Sequence, residues 1–334
     1  MALTKRENLL ETIRRGEPDR LVNQFEYMGK CFDPLALHCA GMCDYGSTSR
    51  SDWGFWTTWP QGIIAPFPLH DEAHLLVPDV TQWDKVVKAP DPWRYPDEEW
   101  EECDRFMAGI DRTDQFAVAQ VITGVFEKVH YLMGMDNACM NLLLEPEAMH
   151  ELVDCLTEWE IEAAKVQIEH FHPDALFHHD DFGTQNSLLM SPELFREFFV
   201  PAYKKIYGYY RDHGVELIVH HSDSFAATLV PDFIDMGVDI WQGVLDTNDI
   251  PSLVRQYGGQ ISFQGGLNNG TYDVEGCTRE MVREGLERLI GQTGVHSIIP
   301  ALTAGGPVTA YPEVYSLVTE EIDALSARLF SKEG

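Results

Sequence analysis

From Phe116 to its carboxyl end the chain repeats one unit: a short apolar run, a turn, then an amphipathic helical stretch. The apolar runs are Phe116–Ile122, Asp174–Asp181, Glu216–Asp223, Asp239–Val244, Gln260–Leu267 and Ser297–Leu302. Parallel strands need a crossover between them, and a helix is its usual form. The repeat therefore predicts a parallel sheet with helices outside it. With a further strand at Leu21–Tyr27 there are enough units for one closed barrel over residues 1–334. A doubly wound open sheet is the rival, but no GxGxxG turn follows a strand.

Two of these runs end unlike a core strand. Asp174–Asp181 reads DALFHHDD and Glu216–Asp223 reads ELIVHHSD. Consecutive titratable side chains are costly to bury without partners. In a barrel they belong at the carboxyl-terminal mouth, where the cleft lies. Strand alternation divides them into two faces. If Asp181 points inward so does His179, and His221 and Asp223 share one side. These four are the candidate inner set, leaving His178, Asp180 and His220 to face the helices. They could bind one divalent metal, with His221 and Asp223 as the first candidates and zinc or a harder ion suited to N/O donors. They could equally form an acid network, or the histidines could merely hydrogen-bond structural aspartates. Glu26, within the expected first strand, is a further candidate catalytic group. Gln242 and Gln264, near later strand ends, are candidates to orient a substrate oxygen or to cap structure. Tyr27 and Trp56 are candidates for stacking a flat ligand.

Residues 31–92 have weak periodicity and many Trp, Pro and Gly residues, which predicts an irregular insertion, either a lid or a segment with its own local core. Among 334 residues, 54 acidic against 24 basic give a formal net charge of −30, which argues against nucleic acid or an anionic membrane as partner. No apolar segment follows Met1–Arg6, and no apolar run approaches the roughly 18 residues of a span. These features predict a cytoplasmic protein. The seven cysteines are then expected to be mostly free thiols.

The motifs resemble those of the uroporphyrinogen decarboxylase superfamily, most closely its corrinoid-dependent methyltransferase branch. Arg6–Leu10 with Gly16–Arg20 is similar to that family's first helix and turn. Asp180–Asn186 (DDFGTQN) and Ser191–Phe195 (SPELF) resemble its central segment, His221-Ser222-Asp223-Ser224 stands in the place of H-x-C-G, and Phe263–Leu267 resembles a late glycine-glycine strand end. The resemblance implies a single (β/α)8 TIM barrel with its site at the carboxyl-terminal mouth. Two departures bear on activity. Thiol-methylating members hold zinc through the H-x-C residues and a later cysteine, whereas here Asp223 replaces the first cysteine and Ala301–Pro307 contains none. Decarboxylases of the family carry an amino-terminal arginine cluster, and Glu26–Lys30 offers one lysine. The expectation is an O-demethylase-type methyltransferase, taking a methyl group from a small-molecule donor, an aryl methyl ether first among them. It would give that methyl to a Co(I) corrinoid on a separate carrier protein, since the chain has no DxHxxG cobalamin motif. A decarboxylase of a small cyclic or aromatic acid, or of a porphyrinogen, is the alternative.

Overall fold

The computed structural model describes residues 2–331. Met1 and residues 332–334, which the single-barrel expectation also covers, lie outside them. Seven parallel strands form one curled sheet: β1 (Met28–Gly29), β2 (Phe116–Val121), β3 (Ala175–His179), β4 (Leu217–His221), β5 (Ile240–Val244), β6 (Ser262–Leu267) and β7 (Ile298–Leu302). Each strand neighbours the next in sequence, with no reversal of order. A doubly wound sheet would require such a reversal, so the sheet curls into the barrel of this fold class.

The amino-terminal strand differs from expectation. Leu21–Tyr27 does not join the ladder, and only Met28–Gly29 pairs with β2. Gln24 adopts a left-handed backbone (φ 50°), which breaks the run. Its side chain then does what a ladder would do. Gln24 Oε1 accepts from the Leu302 amide at 3.4 Å, and Gln264 Nε2 donates to the Gln24 carbonyl at 3.1 Å. Side-chain amides thus bridge the seam between the first segment and β7.

Alternation along the strands separates two apolar clusters. Phe116, Val118, Ala175, Phe177, Leu217, Val219, Ile240 and Ile299 fill the barrel, and Leu9 of α1 (Lys5–Ile13) plugs its lower end. Leu176, Ile218, Trp241 and Phe263 face outward into the helical shell. That shell includes α2 (Val125–Met133), α3 (Pro146–Phe171), α4 (Val200–Asp212) and α5 (Pro312–Phe330). Between Pro192–Phe198 and α4 the helix is broken at Phe199, because the ring of Pro201 clashes with the carbonyl four residues earlier.

The 31–92 segment is more ordered than its composition predicts. It contains the helix Pro34–Cys39 and a three-stranded antiparallel sheet of Thr48–Arg50, Trp56–Thr58 and Phe67–Pro68. Trp53, Phe55, Val77 and Val80 are buried in the same core cluster as the shell helices. Cys31 and Cys103 form a disulfide across 72 residues, correcting the expectation for those two thiols. Distance along the chain hid this pair, which the packing of Asp97–Ala108 against the segment after β1 brings together. Among the described residues, no helix is long and apolar enough to cross a membrane.

Candidate active site at the strand ends

One register line crosses the sheet at its carboxyl-terminal edge. His179 pairs with His221, His221 with Gln242, and Gln242 with Gln264. Directly below lie Phe177 and Val219, so the barrel interior turns from apolar to polar within two residues. The inward and outward histidines fall as alternation requires. His178 reaches out to Glu160 of α3 at 2.8 Å, and His220 to the Tyr207 hydroxyl of α4 at 2.7 Å. Asp180 is buried among the shell helices. It accepts from the Phe126 and Glu127 amides at 2.8 and 2.9 Å and from the Tyr203 hydroxyl. The carboxylate therefore caps the amino terminus of α2, where negative charge is favoured. Gly124 makes room for it, since a Cβ there would sit 2.6 Å from Asp180 Oδ2.

Inside the mouth, the His179 and His221 rings stack with centroids 4.2 Å apart. His179 Nδ1 faces Glu127 Oε2 at 2.8 Å. Glu127 is the residue that strand-end reading overlooked. It stands in the first turn of α2, which carries it back over the end of β3, and an acidic residue there is usually ascribed to the helix dipole alone. His221 Nδ1 faces Gln242 Oε1. The Gln242 amide nitrogen donates to the carbonyls of Thr303 and Ala304, at 3.4 and 3.1 Å, which fixes its oxygen toward His221. His221 accordingly carries its proton on Nδ1 and leaves Nε2 as an acceptor. Gly305 covers the pair: a Cβ there would lie 3.4 Å from His221 and 3.5 Å from His179.

The two imidazoles are electrostatically opposite. Burial disfavours a charged His179, but Glu127, Asp181 and Asp223 outweigh it and push the pKa up to about 10. Burial and the adjacent positive His179 hold His221 well below its ordinary range. Burial raises Asp181 to about 6, with His179 opposing. Partial withdrawal from water and the like charge of Asp181 raise Asp223, whose side chain still reaches solvent. Near neutral pH the mouth thus holds an imidazolium beside a neutral imidazole.

That pairing sets a pH dependence of stability. Glu127 loses stability to burial, yet His179 holds its pKa below 4.5. The folded pKa of His179 exceeds its ordinary 6.5. The pair's contribution is full up to about pH 6.5, where the unfolded imidazole begins to deprotonate, and is lost as pH rises toward 10. On the acid side it is lost as pH falls through the depressed Glu127 value. We expect the melting-temperature gap between wild type and Glu127→Gln to shrink as pH is raised from 6.5 to 10. A gap that stays constant over that range contradicts the ion pair.

His179, Asp181 and His221 converge, with one ligand atom from each lying within 4.8 Å of the others. Asp223, also expected as a metal ligand, is outside this trio. Its role is different: its backbone amide donates to Asp181 Oδ1 at 2.8 Å. Glu26 is not brought to the cluster. Its carboxylate accepts from the Asn23 amide at 3.0 Å, and its charged neighbours are Arg20, Lys5 and Asp323. The turn at Gln24 carries it away. Tyr27 is fully buried, with its hydroxyl donating to Gln264 Oε1 at 2.6 Å. Both residues are therefore engaged with structure and present no open face to an arene. Trp56 packs edge-on to His74 within the insertion.

A parallel barrel with a histidine–carboxylate mouth is the frame within which the comparisons fall. The chain belongs to the uroporphyrinogen decarboxylase family, whose model matches residues 95–325. A methyltransferase from Methanosarcina mazei superposes over 97% of this chain and 99% of its own with a TM-score of 0.63 at 13% identity, a likeness of fold. A B12-independent methionine synthase from Shewanella sp. W3-18-1, in complex with selenomethionine, covers 68% of this chain and 64% of its own at 14% identity, with a TM-score of 0.44. No curated protein matches the chain.

Proposed function

We propose that the protein is a methyltransferase that moves a methyl group from an aryl methyl ether to a Co(I) corrinoid held by a separate carrier protein. The observation that carries this reading is the His179–Glu127 ion pair, placed beside a neutral His221 at the open end of the barrel. The fold shared with the Methanosarcina mazei methyltransferase supports it.

The difficult step in such a transfer is departure of the oxygen. As the methyl carbon passes to the acceptor, the C–O bond breaks and its electron pair stays on oxygen. An aryl leaving group becomes a phenol with a pKa of about 10 on the tyrosine scale. His179, with its pKa pushed up to about 10, is matched to that oxygen, so proton transfer is close to balanced. Its proton goes to the departing oxygen, and Glu127 remains to hold the neutral ring in place. His221 Nε2 can accept from the phenol so formed. Asp181 and Asp223, after Glu127, favour the charged form of His179 through their negative charge.

The convergence of His179, Asp181 and His221 favours a second reading of the same site. Each imidazole already turns Nδ1 to an oxygen, which is the arrangement that orients a metal-binding Nε2. A divalent ion held by these three would supply Lewis acidity to the ether oxygen.

The test mixes purified protein with a reduced corrinoid carrier and a panel of methoxylated phenols and benzoates while the cobalt spectrum is followed. We expect methyl transfer with at least one methoxyarene, and its loss in His179→Ala and His221→Ala proteins that still melt cooperatively. No spectral change across the panel removes the proposal, and carbon dioxide release from an aromatic acid would install the decarboxylase in its place. Transfer that survives chelation keeps His179 as the acid. Transfer lost on chelation and restored by zinc gives the role to the metal.

A further inference from the structure

His221 is held by a chain of hydrogen bonds that runs well beyond the mouth. A neutral imidazole can carry its proton on either nitrogen, and its neighbours decide which. Gln242 is that neighbour, and an amide side chain can itself present either end. The carbonyls of Thr303 and Ala304 remove this freedom by accepting from Gln242 Nε2 at 3.4 and 3.1 Å. Both carbonyls lie in the loop that follows β7, outside any strand ladder. The lock on His221 is therefore only as firm as the hold on that loop.

Asn269 supplies the hold. Its Oδ1 accepts from the Thr303 and Ala304 amides, each at 2.9 Å, and from the Thr303 hydroxyl at 3.3 Å. Its own backbone amide donates to Thr303 Oγ1 at 3.1 Å. Backbone N–H groups can only donate, so the Asn269 side chain has one admissible orientation. The Ala304 N–H and the Thr303 C=O belong to one planar trans peptide unit and point to opposite sides of it. Asn269 grips one edge of that plane and Gln242 the other. Asn269 is not spent on its own helix, Asn269–Tyr272, because Asn268 is the N-cap and accepts from the Gly270 amide at 2.9 Å. Asp273, one turn further on, accepts from the Ala310 and Tyr311 amides at 2.7 and 3.0 Å. The two side chains thus pin both ends of the loop whose Gly305 covers the imidazoles.

From this we infer that Asn269 is a positioning residue for His221: through the Thr303–Ala304 peptide and Gln242 it keeps the ring's proton on Nδ1 and leaves Nε2 bare. Its functional weight rests on the methyl-transfer reading. It serves both forms of that reading, because a bare Nε2 is what accepts from the departing phenol and what binds a metal. Without Asn269 the Thr303–Ala304 peptide can rotate, Gln242 can turn its nitrogen to His221, and the ring then presents N–H where an acceptor is needed.

Nitrogen NMR of the full chain carrying isotope-labelled histidine reads the tautomer with neither substrate nor methyl acceptor present, and His221→Gln identifies the signals. We expect wild type to show a protonated Nδ1 and a bare Nε2, well separated. Asn269→Ala should draw the two signals together as the tautomers mix. The same variant should lower kcat for methyl transfer about 10–100-fold, the usual loss for a partner that acts through another residue, with KM little changed. Gln242→Leu should mix the tautomers by itself, and adding Asn269→Ala to it should change nothing further. Asn269→Leu, which keeps the bulk and removes the acceptor, replaces the alanine variant if that protein does not melt cooperatively. An unchanged His221 pattern in a folded Asn269 variant overturns the assignment, even where transfer is lost, because the role is then structural alone. A wild-type proton on Nε2 overturns it as well. Because the tautomer is read without methyl transfer, mixed signals in a protein that moves no methyl group would sink the function and leave the positioning standing.

Discussion

Glu127→Gln should slow methyl transfer by about 10²–10⁴-fold, the usual contribution of a positioned acid, with little change in substrate affinity. The amide can still hydrogen-bond His179, so the ring stays near its place while its proton loses the carboxylate that holds it. The His179 pKa then falls, because Glu127 is the largest influence opposing burial. Two readouts separate this from general damage. The basic limb of the pH–rate profile should move to lower pH, and donors with more acidic phenols should lose less rate. The second follows because a better leaving group needs less protonation. A Glu127→Gln enzyme with an unchanged pH profile would show that His179 does not supply the proton.

Lys128→Met should cost the fold about 3–5 kcal/mol, the loss typical of removing one partner from a buried pair. Lys128 and Glu160 are 2% and 1% exposed and meet at 2.7 Å. Glu160 also faces His178 at 2.8 Å, and Lys128 donates to the Thr123 carbonyl at 2.5 Å. Removing the ammonium strands a carboxylate in the shell between α2 and α3. It also frees the Thr123 carbonyl, at a residue held at φ 70° just before α2. Replacing both partners, as Lys128→Met with Glu160→Gln, leaves no buried charge and should recover part of the loss. Urea midpoints for the single and double variants measure this. A double variant no more stable than Lys128→Met would mean that packing, not the stranded charge, sets the cost.

Much of the fold was legible because a parallel barrel writes itself locally. The six apolar runs from Phe116 onward became β2 to β7 with ends shifted by one or two residues. Ser191 and Pro192 carry a local helix-start signal, an N-cap serine before a proline, and the structure has Ser191 Oγ accepting from the Leu194 amide. The first strand was misread because the apolar residues of Leu21–Tyr27 do not reveal a left-handed Gln24. Residues 31–92 were misread as irregular because their strands are two or three residues long, too short to show a period.

By itself the sequence determined which face each strand-end residue takes. A two-residue period is a property of extended backbone, so His179 and His221 had to share one side and His178 and His220 the other. Only the tertiary structure decided the chemistry available to them. Protonation depends on which charges stand within a few ångströms. Glu127, 52 residues before His179, reaches it because α2 begins where β2 ends, and Gln242 reaches His221 because β5 lies beside β4. Glu26 was lost to the site for the same reason, since one turned residue in a strand redirects all that follow, and no spacing along the chain records that turn.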